Sequence, residues 1–184
     1  MNTYLLAYNS ATDASDGYHA ATLLLRVVVG ITFAAHGYNK FFGGGKIPGT
    51  ARWFDSIGMK PNGLVHAYVS AVTELGAGLL LALGLLTPLA GAGMVGIMVV
   101  AAYTVNRPNG FFSANHGWEY NLVLAVVGIA VATMGPGRFS LDEVLGIDWS
   151  FHPRIGLGVS AGLGIGSAVL LIATCFRPPA KTEG

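Results

Sequence analysis

Glu74 is the residue whose position most strongly suggests chemistry, because it is the only Asp, Glu, Lys or Arg between Lys60 and Arg107. It lies near the centre of an apolar run, residues 66–86, that is long enough to cross a bilayer as a helix. A charged side chain at that depth costs about 2.5–3.5 kcal/mol on insertion scales. We therefore expect a protonated, paired or cavity-facing carboxylate that handles protons or binds a ligand. The alternative is a structural acid that is hydrogen-bonded to a neighbouring helix.

Three further candidate site residues lie in the first apolar segment. Arg26 is within about 8 Å of the middle of its helix, so it either extends outward as an anchor or turns inward to pair with Glu74. His36 and Lys40 are four residues apart and therefore share one face near the opposite end of the helix. His36 is either a proton relay or ligand, or a histidine held in place by packing.

Glu119 precedes a later apolar segment, at the point where the chain enters the membrane. There it either completes a polar lining with Tyr103 and Asn106 or is a solvated residue at the start of a helix. Both alternatives place it on the same membrane side as Lys40.

A haem or metal site is the weaker alternative for the histidines. His36 could be joined by His66 or His116, which fall on the same membrane side. No His-x-x-His or Glu-x-x-His spacing places two ligands on one helix face, and no zinc-like constellation is present. We predict no metal site.

The composition indicates an integral membrane protein, since 53% of the residues are hydrophobic and only 10% are charged, against about 25% charged in soluble domains. A formal net charge of +1 leaves no basic face for nucleic acid. Cys175 is the only cysteine, so thiol chemistry would require a partner. We expect membrane lipids and other membrane redox subunits as partners.

The apolar segments predict an all-α membrane protein, a four-helix bundle followed by a fifth transmembrane helix. Residues 1–19 form an N-terminal segment that carries no Lys or Arg, unlike the start of a cleaved signal peptide. Residues 20–146 form the four-helix domain, and residues 147–184 form a linker, the fifth helix and a polar tail. The predicted spans are residues 18–42, 64–86, 89–106, 120–137 and 155–176.

Shorter signals fill the connections between these helices. Thr50 is expected to cap an interfacial helix over 51–57, with Trp53, Phe54 and Ile57 on its apolar side. Thr87 with Pro88 predicts an N-cap and a first-turn proline, which makes helices two and three a tight hairpin.

Two signals follow in the C-terminal part of the chain. Ser140 with Glu143 is a capping-box pattern over a short surface helix. Gly158, Gly162 and Gly166 form a smooth stripe on the fifth helix, suited to close approach by another helix of this bundle or of a partner.

The distribution of basic residues predicts the orientation. One side of the membrane carries Lys40, Lys46, Arg52, Lys60, Arg107, Arg177 and Lys181, and the other carries Arg26, Arg138 and Arg154. Basic residues accumulate on the cytoplasmic side. The C-terminus is therefore expected in the cytoplasm and the N-terminus outside.

An ordered set of motifs resembles the DoxX family over about residues 23–145. The motifs are Leu25-Arg26, His36-Gly37-x-x-Lys40, Gly49-Thr50, Phe54-x-x-x-Gly58, Glu74-x-x-x-Gly78, Pro108-Asn109-Gly110-Phe111-Phe112, Glu119 and Gly135-Pro136-Gly137-Arg138. The family is a four-helix membrane bundle named after a subunit of thiosulfate:quinone oxidoreductase. Some bacterial members are associated with a membrane redox complex that contains superoxide dismutase and a sulfurtransferase.

The resemblance implies which residues would bind a ligand. The matching positions are Arg26, His36, Lys40, Glu74, Asn109 and Glu119. The fifth helix lies beyond the family core and suggests an additional packing surface.

We therefore expect an auxiliary subunit of a redox complex in the bacterial inner membrane, with a pocket around Glu74 that accepts a quinone or a lipid. Whether it takes part in catalysis as a subunit of a quinone-linked oxidoreductase stays open. The alternative is a small proton-coupled transporter in which Glu74, Arg26 and His36 line the path. An enzyme acting alone is weakest, because no nucleophile, metal set or cofactor cradle is visible.

Overall fold

The computed structural model describes residues 3–179, with side chains from residue 15 onward, so Lys181 of the orientation count lies outside it. The predicted all-α fold is confirmed, since the regular elements of these residues are helices. The α-helices are α1 (Thr3–Phe42), α2 (Lys46–Ser56), α3 (Gly63–Leu83), α4 (Thr87–Ala101), α5 (Glu119–Met134), α6 (Leu141–Val144), α7 (Pro153–Leu157) and α8 (Gly164–Cys175).

Two of these helices continue through wider or tighter turns. A π turn over Ala102–Asn106 and a 3-10 turn over Arg107–Asn109 extend α4. A second π turn, Gly158–Leu163, joins α7 to α8. Residues 153–175 therefore run as one C-terminal helix.

Within residues 3–179, four helices are long and apolar enough to cross a membrane, and the chain is therefore a multi-pass membrane protein. They are Ser15–Phe42, Gly63–Leu83, Thr87–Asn109 and Pro153–Cys175. The fourth predicted span, α5, has only 16 residues, about 24 Å at ~1.5 Å per residue. It ends at Met134, three residues before the predicted end, because Gly135 leaves helical geometry with φ at 87°.

The α1–α3 pair forms a close contact between helix backbones in the part of the bundle that surrounds Glu74. A Cβ added to Gly78 would lie 2.3 Å from the Ala34 nitrogen, and a Cβ added to Gly37 would lie 2.4 Å from the Leu75 nitrogen. Residues later in α1 face residues earlier in α3, so the two helices are antiparallel. Small residues bring backbones this close in membrane helix packing.

The C-terminal helix packs against α4 and α5 through a different set of small residues from the predicted stripe. Its inner seam repeats every four residues, at Gly156, Ser160, Gly164 and Ala168, all of them buried. The predicted stripe faces away from the bundle, since a Cβ at any of its three glycines would meet no atom of the described chain within 4 Å. Both registers have small residues, and the contacts with α4 and α5 select between them.

The interfacial helix α2 begins at Lys46, five residues before the predicted start. The prediction that Thr50 caps it is wrong, because the Thr50 hydroxyl lies inside the helix and donates to the Lys46 carbonyl at 3.0 Å. Its buried face consists of Ile47, Ala51 and Phe54. Of the predicted apolar side, Trp53 is exposed and Ile57 is half-buried. The helical spacing of these buried residues places the apolar face of α2 against α3 rather than at the membrane interface.

The N-terminus of α4 is held by a residue far along the chain. Thr87 was predicted as the N-cap, but Leu86 occupies that position with a positive φ, and its side chain makes no capping hydrogen bond. The buried Asp142 carboxylate of α6 accepts from the Leu86 N–H at 2.7 Å and from the Thr87 N–H at 3.1 Å. Asp142 thus does the capping that the sequence assigns to Thr87.

The C-terminal helix ends against the loop between α2 and α3. The Lys60 N–H donates to the Cys175 carbonyl at 2.7 Å, and the Arg177 N–H donates to the Gly58 carbonyl at 2.9 Å. These bonds surround a single antiparallel bridge between Met59 and Phe176. The fifth span is thereby tied to the first loop at one membrane face.

Candidate functional site

The candidate site is built around an ion pair between Lys40 near the end of α1 and Glu74 in the middle of α3. The Lys40 ammonium donates a hydrogen bond to Glu74 Oε2. The Lys40 side chain is 21% exposed and the Glu74 side chain 8%. The close α1–α3 crossing sets this geometry, because it brings the end of α1 within one lysine length of the middle of α3. Glu74 is thus paired inside the bundle, one of the outcomes that the sequence predicts.

A cavity of about 180 Å³ adjoins the ion pair. It is enclosed by α1, α2, α3 and the last turns of α4, and its lining residues are Lys40, Trp53, Phe54, Ser70, Glu74, Ile97, Val100, Ala101, Thr104 and Val105. At about 30 Å³ per water, the space equals roughly six waters. It is smaller than the ~300–1,000 Å³ of most small-molecule pockets, so it fits a ring-sized head group rather than a whole lipid.

The ion pair is the main polar feature of this cavity. The Ser70 hydroxyl donates to the Ala67 carbonyl at 3.1 Å, and the Thr104 hydroxyl to the Val100 carbonyl at 2.8 Å. Both hydroxyls therefore give their proton to their own helix. Glu74 Oε1 accepts none of the hydrogen bonds found over residues 15–179, and an ammonium has three N–H donors. The Lys40 ammonium can therefore still donate a hydrogen bond to a bound ligand, and Glu74 Oε1 can accept one.

Arg26 does not join this site. Its side chain is fully buried at the other end of the bundle, where Nη2 donates to the Phe139 carbonyl at 2.6 Å. Its charge is attracted by Asp142 rather than by Glu74. Of the two sequence alternatives, surface anchor or partner of Glu74, the structure shows neither. The Arg26 guanidinium also packs against Gly84, where an added Cβ would lie 1.8 Å from Nη1.

The remaining candidate residues also lie outside the cavity. His36 has an exposed side chain one turn before Lys40. Asn109 donates through Nδ2 to the His116 carbonyl at 3.2 Å. Glu119 accepts from the Ser113 N–H and hydroxyl, both at 2.9 Å, and so orders the loop before α5. Binding roles for these residues stay predictions, and only Lys40 is brought to Glu74.

Sequence reasoning missed the participation of Asp142 and of α2 in these arrangements. Asp142 lies between Ser140 and Glu143 of the predicted capping box. Of the two hydrogen bonds of that motif, the one from the Glu143 N–H to the Ser140 hydroxyl oxygen is observed, at 3.2 Å. An acid there reads as a solvated residue of a surface helix, although it is fully buried. Trp53 and Phe54 read as membrane-interface residues, yet both line the Glu74 cavity.

Comparison with known proteins matches this chain to one protein family and to two bacterial relatives. The sequence model of the DoxX family matches residues 21–107. The Bacillus subtilis (strain 168) protein named "Putative oxidoreductase CatD" is 35% identical over 117 residues, which cover 64% of this chain and 82% of that protein. The Mycobacterium tuberculosis protein named "Uncharacterized membrane protein Rv3486" is 31% identical over 135 residues, covering 68% and 81%. No solved structure matches the chain.

Proposed function

The chain belongs to the DoxX family of membrane proteins, and on that premise we propose that it is an auxiliary subunit of a redox complex in the bacterial inner membrane. In this proposal the cavity beside Lys40 and Glu74 receives the head group of a quinone, with the C-terminus in the cytoplasm. The observation that carries the proposal is the ion pair, which lies within the bundle beside an otherwise apolar cavity. The name of the Bacillus subtilis relative contains the word oxidoreductase, which supports the redox assignment.

The cavity suits a quinone ring better than a whole lipid. Its volume of about 180 Å³ admits a ring and leaves the tail outside. Lys40 can donate a hydrogen bond to a carbonyl oxygen of the ring, and Glu74 holds the ammonium in place for it. A bound quinone supplies the capacity to accept two electrons and two protons, and the electrons come from another subunit of the complex. Glu74 is placed to pass a proton, because a carboxyl group can both release and accept one.

Packing supports a partner subunit. The stripe of Gly158, Gly162 and Gly166 faces away from the bundle, and a helix of another subunit could approach it closely. We assign the docking of redox partners to this outward face.

The experiment measures binding of a short-chain quinone by quenching of Trp53 fluorescence. A protein whose other tryptophans are replaced, Trp118→Phe and Trp149→Phe, is placed in lipid nanodiscs and titrated with decylubiquinone. We expect saturable quenching that is weakened at least about tenfold by Glu74→Gln or Lys40→Gln, since each substitution removes a charged hydrogen-bonding group. Glu119→Gln is the matched control, because it makes the same chemical change outside the cavity. Equal quinone affinity in the Glu74→Gln and control proteins would contradict the proposal.

The transporter alternative receives less support from the geometry. Its path requires Glu74, Arg26 and His36 together, whereas Arg26 lies with Phe139 and His36 is exposed. Proton-coupled flux in proteoliposomes that disappears in Glu74→Gln would favour transport over the redox role.

A further inference from the structure

A second cavity, of about 400 Å³, lies between the end of α4 and the start of α5. We call it the α4–α5 groove, and its lining includes Met98, Tyr103, Arg107, Trp118, Asn121 and Ala125. None of its lining residues is shared with the Glu74 cavity, which uses the other side of α4. Its volume falls within the ~300–1,000 Å³ of small-molecule sites.

The groove contains a buried amide that has no strong partner. Asn121 is 7% exposed, and its Nδ2 donates only to the Met98 sulfur at 3.8 Å. A thioether is a weak acceptor. Asn121 Oδ1 accepts none of the hydrogen bonds found over residues 15–179. Buried polar groups are rarely left without good partners, so the weakly bonded Nδ2 donor indicates a ligand that carries an oxygen acceptor.

A cation stands at the same groove without a carboxylate. The Arg107 guanidinium lies 5.0 Å from the centre of the Tyr103 ring, and the ion pairs of the described chain join Lys40 to Glu74 and Arg138 to Asp16 instead. The carboxylate that follows Trp118 in sequence, Glu119, is turned to Ser113. The positive charge of Arg107 is therefore free to meet an anion.

From these observations we propose that the α4–α5 groove binds one anionic phospholipid, with an acyl chain along Met98, Leu122 and Ala125, an ester oxygen at Asn121 and the phosphate at Arg107. Tyr103 and Trp118 lie beside Arg107 in the lining, as aromatic side chains do where acyl chains meet head groups. Basic residues between membrane helices select anionic head groups by charge. This site is independent of the quinone proposed for the Glu74 cavity.

The experiment uses Trp118 as the reporter of the groove. The full chain carrying Trp53→Phe and Trp149→Phe is placed in vesicles that contain phosphatidylglycerol or phosphatidylcholine with brominated acyl chains, which quench nearby tryptophan. We expect brominated phosphatidylglycerol to occupy the groove, and so to quench Trp118, about fivefold more effectively than brominated phosphatidylcholine. A preference of this size is what one basic residue gives at a membrane surface. Arg107→Gln should remove the preference, whereas Arg52→Gln, which removes an exposed charge outside the groove, should keep it.

A second protein separates a site from general enrichment of anionic lipid around the chain. It retains Trp53 alone, through Trp118→Phe and Trp149→Phe, and should show a smaller preference than Trp118, one that Arg107→Gln leaves unchanged. Equal quenching of Trp118 by both lipids, or a preference that survives Arg107→Gln, would overturn the proposal. A preference of the same size at Trp53 would overturn it as well, because it would show nothing particular to the groove.

Discussion

The carboxylate of Asp142 holds the first turn of α4 through Thr87, accepting hydrogen bonds from the Thr87 N–H at 3.1 Å and from its hydroxyl at 2.9 Å. The two residues are 55 positions apart, so this contact joins α6 to the α3–α4 hairpin. Arg26 of α1 donates to the Phe139 carbonyl, three residues before Asp142, at 2.6 Å. One short surface helix and the residues just before it thus connect the first, second and third spans at the membrane end opposite Lys40.

Replacing Asp142 should therefore destabilise the bundle. We expect Asp142→Ala to lower the free energy of unfolding by about 3 kcal/mol, because hydrogen bonds to a charged group contribute about 1.5–3 kcal/mol each and the buried carboxylate accepts three of them at the start of α4. Thermal or denaturant unfolding of the protein in detergent measures the change. Glu143→Ala is the control, since the Glu143 side chain is exposed on the next residue. Equal stability of the two variants would show that the Asp142 contacts do not stabilise the fold.

Gly84 tests how closely Arg26 packs. It ends α3 with φ at 64°, and an added Cβ would lie 1.8 Å from Arg26 Nη1. Gly146 has a similar φ of 65° with no atom of the described chain within 4 Å of an added Cβ. Backbone strain should lower the free energy of unfolding by about 1–2 kcal/mol in both alanine variants. Gly84→Ala should lower it further, because its Cβ would also clash with Arg26. The difference between their unfolding midpoints isolates the contact with Arg26.

The α1–α3 crossing can be tested with two glycines of the same helix. Gly78→Ala should destabilise the protein by about 1–3 kcal/mol, the range for overpacking, because its Cβ would lie 2.3 Å from the Ala34 nitrogen. Gly76→Ala should be neutral or stabilising by up to about 1 kcal/mol, because its Cβ would meet no atom of the described chain within 4 Å. If unfolding experiments gave the opposite order, the crossing would not have the geometry described.

The Lys40–Glu74 pair should show a measurable coupling. Lys40→Met or Glu74→Gln alone leaves a charge or a polar group buried without its partner and should cost about 3–5 kcal/mol in the free energy of unfolding. The double variant should cost less than the sum, by about 1–3 kcal/mol in a double-mutant cycle. Lys46→Met, at an exposed position on α2, provides the uncoupled reference. Additive costs would argue that the two side chains do not interact.

The outward glycine stripe makes a prediction about assembly rather than stability. Gly162→Leu should leave unfolding of the purified chain unchanged, because an added Cβ meets no atom of the described residues within 4 Å. In native membranes the same variant should lose partner proteins during gentle detergent extraction, since leucine prevents close helix approach. Gly17→Leu is the control, at another open position outside the stripe. Retention of the same partners by both variants would remove the docking role of the stripe.

The fold was largely predictable because it depends on local signals. Apolar length located the spans, and Gly84 and Pro88 located the hairpin between α3 and α4. The ends of α2 and α5 were missed by several residues, since a cap such as Thr50 is ambiguous when the helix is also held by tertiary packing.

The candidate site was only partly predictable because helix rotation and crossing decide which side chains meet. Glu74 was identified from burial cost alone, and its pairing with Lys40 depends on the Gly37 and Gly78 contacts, which fix the register of α1 against α3. By its depth in the membrane, Arg26 was the partner that the sequence offered for Glu74. Asp142 attracts it instead, and no spacing rule connects residues so far apart in the chain.

The bonds between the Gly58 loop and the end of the C-terminal helix have a consequence for shortened chains. A protein truncated before Pro153 would leave the Lys60 N–H and the Gly58 carbonyl without their present partners and would uncover Val95 on α4, which an added Cβ at Gly164 would approach within 2.8 Å. That loop directly follows the last turn of α2, whose Trp53 and Phe54 form one wall of the Glu74 cavity. Removing the last span should therefore loosen one wall of a cavity to which that span contributes no side chain.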